Sequence, residues 1–217
     1  MSLRVLAHRA CLDGPGSVAE NTRSALAEAV ARGFGVEFDV NRDGDRLTLA
    51  HDPEPWSEER DAEAFVRDPG PGLHALNLKR LDLLDPLLAT IQDAGTQERF
   101  FLFDFELLGG GLGLMREVQR RGFRVAHRVS EREPHLERYA ADTCVSDVWL
   151  DELDGPWVTA EHVAALARRG KQVFYVSPEL HRPQPAEALA PRWEQLAAWG
   201  AAGICTDYPL ALSRRLS

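Results

Sequence analysis

Between Gly35 and Asp52 the chain alternates. Val36, Phe38 and Val40 are apolar and Glu37 and Asp39 acidic, the period-two pattern of a strand. Successive side chains of a strand point to opposite faces, so the two carboxylates share one face. The pattern predicts an apolar face packed outward and an acidic face turned inward. Buried carboxylates are costly without a cation or hydrogen bonds, so these acids need partners. Asp43-Gly44-Asp45 then reads as a tight turn. Leu47-Thr48-Leu49-Ala50 reads as a short second strand that delivers His51 and Asp52 to the same neighbourhood.

The rest of the chain keeps one beat. Residues 4–9 read as a first strand ending in His8-Arg9. Thr22 is a helix cap, and Ala25, Leu26, Ala29 and Val30 mark the helix face behind it. Residues 73–79 predict a strand with Asn77 and Lys79 on one face, followed by a helix over 81–94 that Gly95 stops. Residues 99–105 predict the next strand. Phe101, Phe103 and Phe105 alternate there with Leu102 and Asp104, so the phenylalanines are expected against the helices and Asp104 in the interior. Helices are expected over 114–121, 133–140, 160–169 and 193–199, and strands over 123–129, 144–150, 172–176 and 203–206. The proline-rich stretches 52–72 and 177–191 read as loops. Eight strands alternating with helices predict a parallel sheet. Eight units in 217 residues favour a single (β/α)8 barrel, one domain spanning the chain, over an open doubly wound sheet. No Gly-x-Gly-x-x-Gly follows the first strand, which weakens a nucleotide-binding version of either.

Composition narrows the partners. A net charge of −9 argues against nucleic acid, which needs clustered Lys and Arg. No apolar run approaches membrane-spanning length, and the first residues carry too short an apolar run for a signal peptide. Three cysteines, Cys11, Cys144 and Cys205, lack CxxC spacing and predict a reducing, cytoplasmic setting without a zinc site.

In such a barrel, chemistry sits at the C-terminal ends of the strands. Those ends carry His8, Arg9, Glu37, Asp39, His51, Asn77, Lys79, Asp104, Glu106, His127, Arg128, Asp151, Ser177, Glu179 and Asp207. Acidic oxygens on adjacent strands suit a hard divalent cation, Mg2+ or Ca2+. Arg9 and Lys79 match a phosphate, and His8 and His51 a general base and acid.

These residues fall into a familiar series. His8-Arg9, Glu20-Asn21-Thr22, Gly35-Val-Glu37-Phe-Asp39-Val40, the Asp-Gly turn, His51-Asp52, Asn77-Leu-Lys79 and Gly203-Ile-Cys-Thr206-Asp207-Tyr-Pro209 resemble the motifs of the glycerophosphodiester phosphodiesterase family, across nearly the whole chain. The wider superfamily includes phosphatidylinositol-specific phospholipase C. The resemblance implies His8 and His51 as the catalytic pair, Glu37 and Asp39 as metal ligands and Arg9 and Lys79 as phosphate-binding cations. Glu20-Asn21-Thr22 would stand behind them. The chain departs from the family pattern with Ala10 for a glycine, Ala19 for a proline and Asn77 for a carboxylate ligand. Asn77 still offers a neutral carbonyl oxygen, and Asp104 is expected to supply the missing charge to the metal site. The implied enzyme is a metal-dependent phosphodiester hydrolase acting on a small soluble diester, more than on a bilayer lipid. Two alternatives stand beside it: a barrel enzyme using Lys79 as a Schiff-base nucleophile, and a non-catalytic binding protein on the same scaffold.

Overall fold

The computed structural model describes residues 3–133, 141–143 and 145–216. The helix expected over 133–140, beyond Glu133, and Cys144 lie outside the described residues. Eight parallel strands close into a barrel: β1 (Arg4–His8), β2 (Gly35–Asp43), β4 (His74–Leu78), β5 (Phe100–Phe103), β6 (Arg124–Val129), β7 (Asp147–Leu150), β8 (Gln172–Val176) and β9 (Gly203–Thr206). Each pairs with its neighbours in that order, and β1 pairs with both β9 and β2, which closes the ring. A ninth strand, β3 (Arg46–Leu49), folds back antiparallel on the far end of β2. The open-sheet alternative is thereby excluded.

Seven α-helices are described outside the barrel: α1 (Arg23–Ala31), α2 (Ala62–Arg67), α3 (Leu84–Ala94), α4 (Gly111–Arg120), α5 (Ala160–Arg168), α6 (Ala186–Ala198) and α7 (Pro209–Leu216). Local chemistry sets their ends. The Thr22 hydroxyl accepts from Ala25 N–H at the start of α1, Thr159 and His162 form a reciprocal cap on α5, and α3 stops at Gly95 with φ 70°. Two helices run through stretches that read as loops. In α2, Asp61 caps the first turn and Phe65 and Val66 are buried. In α6, Leu189, Trp193 and Leu196 anchor a helix that tolerates Pro191 in its interior. Burial of these side chains outweighs the one backbone hydrogen bond a proline forfeits.

The core has two layers. Val36, Phe38, Val40, Leu76 and Leu102 pack outward against the helices. Leu6, Ala75, Phe101, Phe103, Trp149 and Phe174 fill the barrel interior. Phe101 stacks on Phe174 at 4.6 Å, and Phe103 lies 4.3 Å from Trp149. The expectation for β5 is therefore reversed: Phe101 and Phe103 point inward and Leu102 outward. Both faces of this strand are apolar, so alternation carried no direction. The start of β2 is equally tight. A Cβ at Gly35 would land on the Leu6 side chain and on the Leu73 carbonyl, so glycine is what lets β2 lie against β1. Among the described residues no helix is long and apolar enough to cross a membrane.

Candidate active site

The strand ends surround a cavity of about 250 Å³ lined by His8, Arg9, Glu37, Asp39, His51, Asn77, Lys79 and Asp104, together with Arg128, Asp151 and His181. All eight residues singled out from sequence thus reach one place. His8 is the last residue of β1, and its Nδ1 lies 2.7 Å from Asp207 Oδ1, just past β9. Asp207 is braced in turn. Its N–H donates to Glu179 Oε1 at 3.2 Å, and Glu179 also accepts from the hydroxyls of Ser177 and Thr206. His8 Nε2 stands 3.9 Å from Glu37 Oε2. Burial pulls the His8 imidazole toward its neutral form, but the Asp207 hydrogen bond and the charges of Glu37 and Asp207 outweigh it, and its pKa is raised.

The chain turns sharply after His8. Arg9 and Ala10 both adopt the left-handed region, with φ 50° and 62°. That region suits glycine and strains other residues, and here the strain sits beside the site. The turn sends Arg9 back over β2, with Nε 3.3 Å from Asp39 Oδ2. Lys79 Nζ lies 2.8 Å from Asp39 Oδ1. Asn21 completes the clasp: its side chain donates to Asp39 Oδ2 at 2.8 Å and accepts from Asp39 N–H at 3.1 Å. Burial raises the Asp39 pKa, yet Lys79, Arg9 and Asn21 together leave it lowered. Glu37 has fewer partners. Burial, with the charge of Asp39 beside it, pushes its pKa up to about 7.

Asp104 does face the cavity, though not by the alternation that predicted it. Strand β5 ends at Phe103, and a left-handed turn at Asp104, φ 66°, swings its side chain inward. There it accepts from Asn77 Nδ2 at 3.1 Å and from Arg128 at 3.2 Å. Burial, with Asp151 adding and Arg128 opposing, raises its pKa to about 6. Arg128 Nε also sits 3.0 Å from Asp151 Oδ2. His181 Nε2 lies 2.6 Å from the other oxygen of Asp151.

Five of the strand-end residues do not line the cavity, and three of them, Ser177, Glu179 and Asp207, stand behind His8. The other two, His127 and Glu106, pair with each other. Sequence reasoning left His181 out, because it stands five residues past β8 in a stretch read as loop. His51 is on the rim, its side chain 45% exposed, with its Nδ1 3.3 Å from Asp52 Oδ1 and its backbone carbonyl accepting from Asn41 Nδ2 at 3.3 Å.

The donors Glu37, Asp39, Asn77 and Asp104 offer oxygen only, the chemistry of a Mg2+ or Ca2+ site. Asp39 already faces two cations, and no group of three or more His, Cys, Asp or Glu arranged to hold a metal ion occurs among the described residues.

No protein-family model matches the chain, and no curated protein matches it. Solved structures do match. A glycerophosphoryl diester phosphodiesterase from Parabacteroides distasonis ATCC 8503 superposes with a TM-score of 0.71 at 15% identity, over 99% of this chain and 86% of its own. An Oleispira antarctica phosphodiesterase, solved in complex with the product sn-glycerol-3-phosphate, gives a TM-score of 0.68 at 17% identity, over 98% and 96%. A tryptophan synthase alpha-subunit from Pyrococcus furiosus also matches, with a TM-score of 0.59 at 14% identity, over 94% and 86%. At such identities the likeness establishes the barrel, and barrels host unrelated chemistries.

Proposed function

We propose that this barrel hydrolyses phosphodiesters, with a small glycerol phosphodiester as the substrate class. The observation that carries the reading is the meeting, in one cavity, of an imidazole held by Asp207 with the cations Arg9 and Lys79. In this reading His8 takes a proton from the nucleophile, a water or a substrate hydroxyl next to the ester. Arg9 and Lys79 bear on the phosphoryl oxygens, where charge grows in the pentacoordinate transition state. A second histidine of the mouth returns a proton to the leaving alkoxide, and His51 is the sequence's candidate for it. Mg2+ or Ca2+ held by Glu37, Asp39, Asp104 and the Asn77 carbonyl would add positive charge against the phosphate. The glycerol phosphate product held by the Oleispira protein supports the substrate class. The Schiff-base alternative is disfavoured, because Lys79 Nζ is the ammonium partner of Asp39 while such chemistry needs a free amine.

A panel of glycerol phosphodiesters, assayed with Mg2+, Ca2+ or Mn2+ and with excess EDTA, tests this. At least one diester is expected to turn over, and chelation is expected to abolish it. His8→Ala is expected to lower kcat about a hundredfold or more while thermal unfolding stays near wild type. Turnover of no diester, or near-native turnover by the variant, would overturn the reading. Full activity in EDTA would remove the cation from it.

A further inference from the structure

We infer that His181, held by Asp151, is the residue that protonates the leaving alkoxide; the inference rests on the phosphodiesterase reading. Two of the imidazoles that line the cavity are each held by a buried acid. His8 gives one ring nitrogen to Asp207 at 2.7 Å, and His181 gives Nε2 to Asp151 at 2.6 Å. Asp151 is buried, so it fixes the ring against a partner that cannot swing away. The other nitrogen of His181, Nδ1, has no partner among the described residues, and the ring is 24% exposed in the same cavity as His8. The loop that carries it is itself pinned. The turn Pro178–Leu180 is followed by hydrogen bonds from His181 N–H and Arg182 N–H to the Pro178 carbonyl, at 3.1 and 2.8 Å.

His51 is a poorer candidate for the same task. Its acid, Asp52, is 85% exposed, and exposed ion pairs restrain side chains weakly. A purely structural role for His181 is also weak. Asp151 already has the Arg128 guanidinium as its counter-charge, so neutralising it does not require an imidazole.

The step balances without a further reactant. The nucleophile's oxygen forms a bond to phosphorus, and its proton passes to His8. The bond from phosphorus to the alcohol oxygen breaks with its electron pair on oxygen. That oxygen takes the proton from Nδ1 of His181, which enters the reaction as imidazolium. Water then restores both protonation states.

A general acid matters only when the leaving group needs a proton. The test compares a glycerol phosphodiester of an alkyl alcohol with the p-nitrophenyl ester of glycerol phosphate, whose phenolate leaves unprotonated. Both are assayed with wild type, His181→Asn, His181→Gln and His51→Asn under the same metal conditions. Both His181 variants are expected to lose about a hundredfold in kcat on the alkyl ester and less than about threefold on the aryl ester. Retained aryl turnover also shows that the variants are folded. Equal loss on both esters, or loss on neither, overturns the assignment, as does alkyl-selective loss in His51→Asn alone. Wild-type protein that cleaves neither ester overturns the phosphodiesterase reading, and the assignment with it.

Discussion

On the β1–β2 wall of the mouth, one carboxylate, Asp39, faces two cations and an amide. On the β5–β7 wall, one guanidinium, Arg128, serves two carboxylates, Asp104 and Asp151. Both walls present a histidine oriented by a buried acid. The walls differ in redundancy. The first keeps its charges matched if any one partner is lost. The second has one guanidinium between two buried carboxylates; its loss leaves Asp104 with the Asn77 amide and Asp151 with His181, and under-compensated buried charge is what proteins tolerate least.

The largest expected effect removes that guanidinium. Arg128→Ala leaves Asp104 and Asp151 without their shared cation and is expected to cost about 3–5 kcal/mol in denaturant unfolding. Lys79→Ala leaves Asp39 with Arg9 and Asn21 and is expected to cost clearly less. Equal costs would mean the walls are not different in this respect.

A histidine with no acid beside it among the described residues sharpens the contrast. His74 lies between Phe65 and Phe100, and its Nδ1 accepts from Val36 N–H at 3.3 Å. Burial, with Arg99 adding, lowers its pKa from 6.5 to about 4. The unfolded chain binds a proton below about pH 6.5 that folded His74 refuses, so its stabilising contribution falls as pH drops from there toward 4. At its full extent this is about 3 kcal/mol. Unfolding by urea at pH 7 and pH 4.5 should show a smaller acid loss in His74→Gln than in wild type. An unchanged difference would remove His74 from the account. His8 has the opposite sign: its raised pKa gives stability that is present below about pH 6.5 and is lost as pH rises through the folded value.

The smallest effect concerns the turn that serves only the first wall. Ala10→Gly relieves a left-handed alanine, φ 62°, and is expected to stabilise by up to about 1 kcal/mol, part of the gain being lost to a freer unfolded chain. A lower thermal midpoint in the variant would show that the Ala10 methyl, buried against the core, matters more than the strain.

The two walls also differ in how far the sequence disclosed them. Strand β2 was readable because one face is acidic and the other apolar, so alternation had a direction. Strand β5 was not, since Phe100 to Phe103 are apolar on both faces and Asp104 turns inward through a backbone torsion no pattern encodes. Helix α2 was hidden by the prolines around it, although Asp61 ahead of Phe65 and Val66 was a readable cap. The bond between His8 and Asp207 spans 199 positions and exists because the ring closes β9 onto β1. His181 carried no signal beyond its residue type, for its acid belongs to a different strand 30 positions away.

The glycine that opens β2 has a wider consequence. Leu6 pairs with Gly35 and, two residues on, His8 pairs with Glu37. The alignment of an imidazole with a carboxylate is therefore gauged about 7 Å away, at two residues' rise, by a position that has no side chain at all. Mutations that silence the mouth need not touch it. The target for loss of activity extends along the seam between these two strands, and an inventory of cavity-lining residues undercounts it.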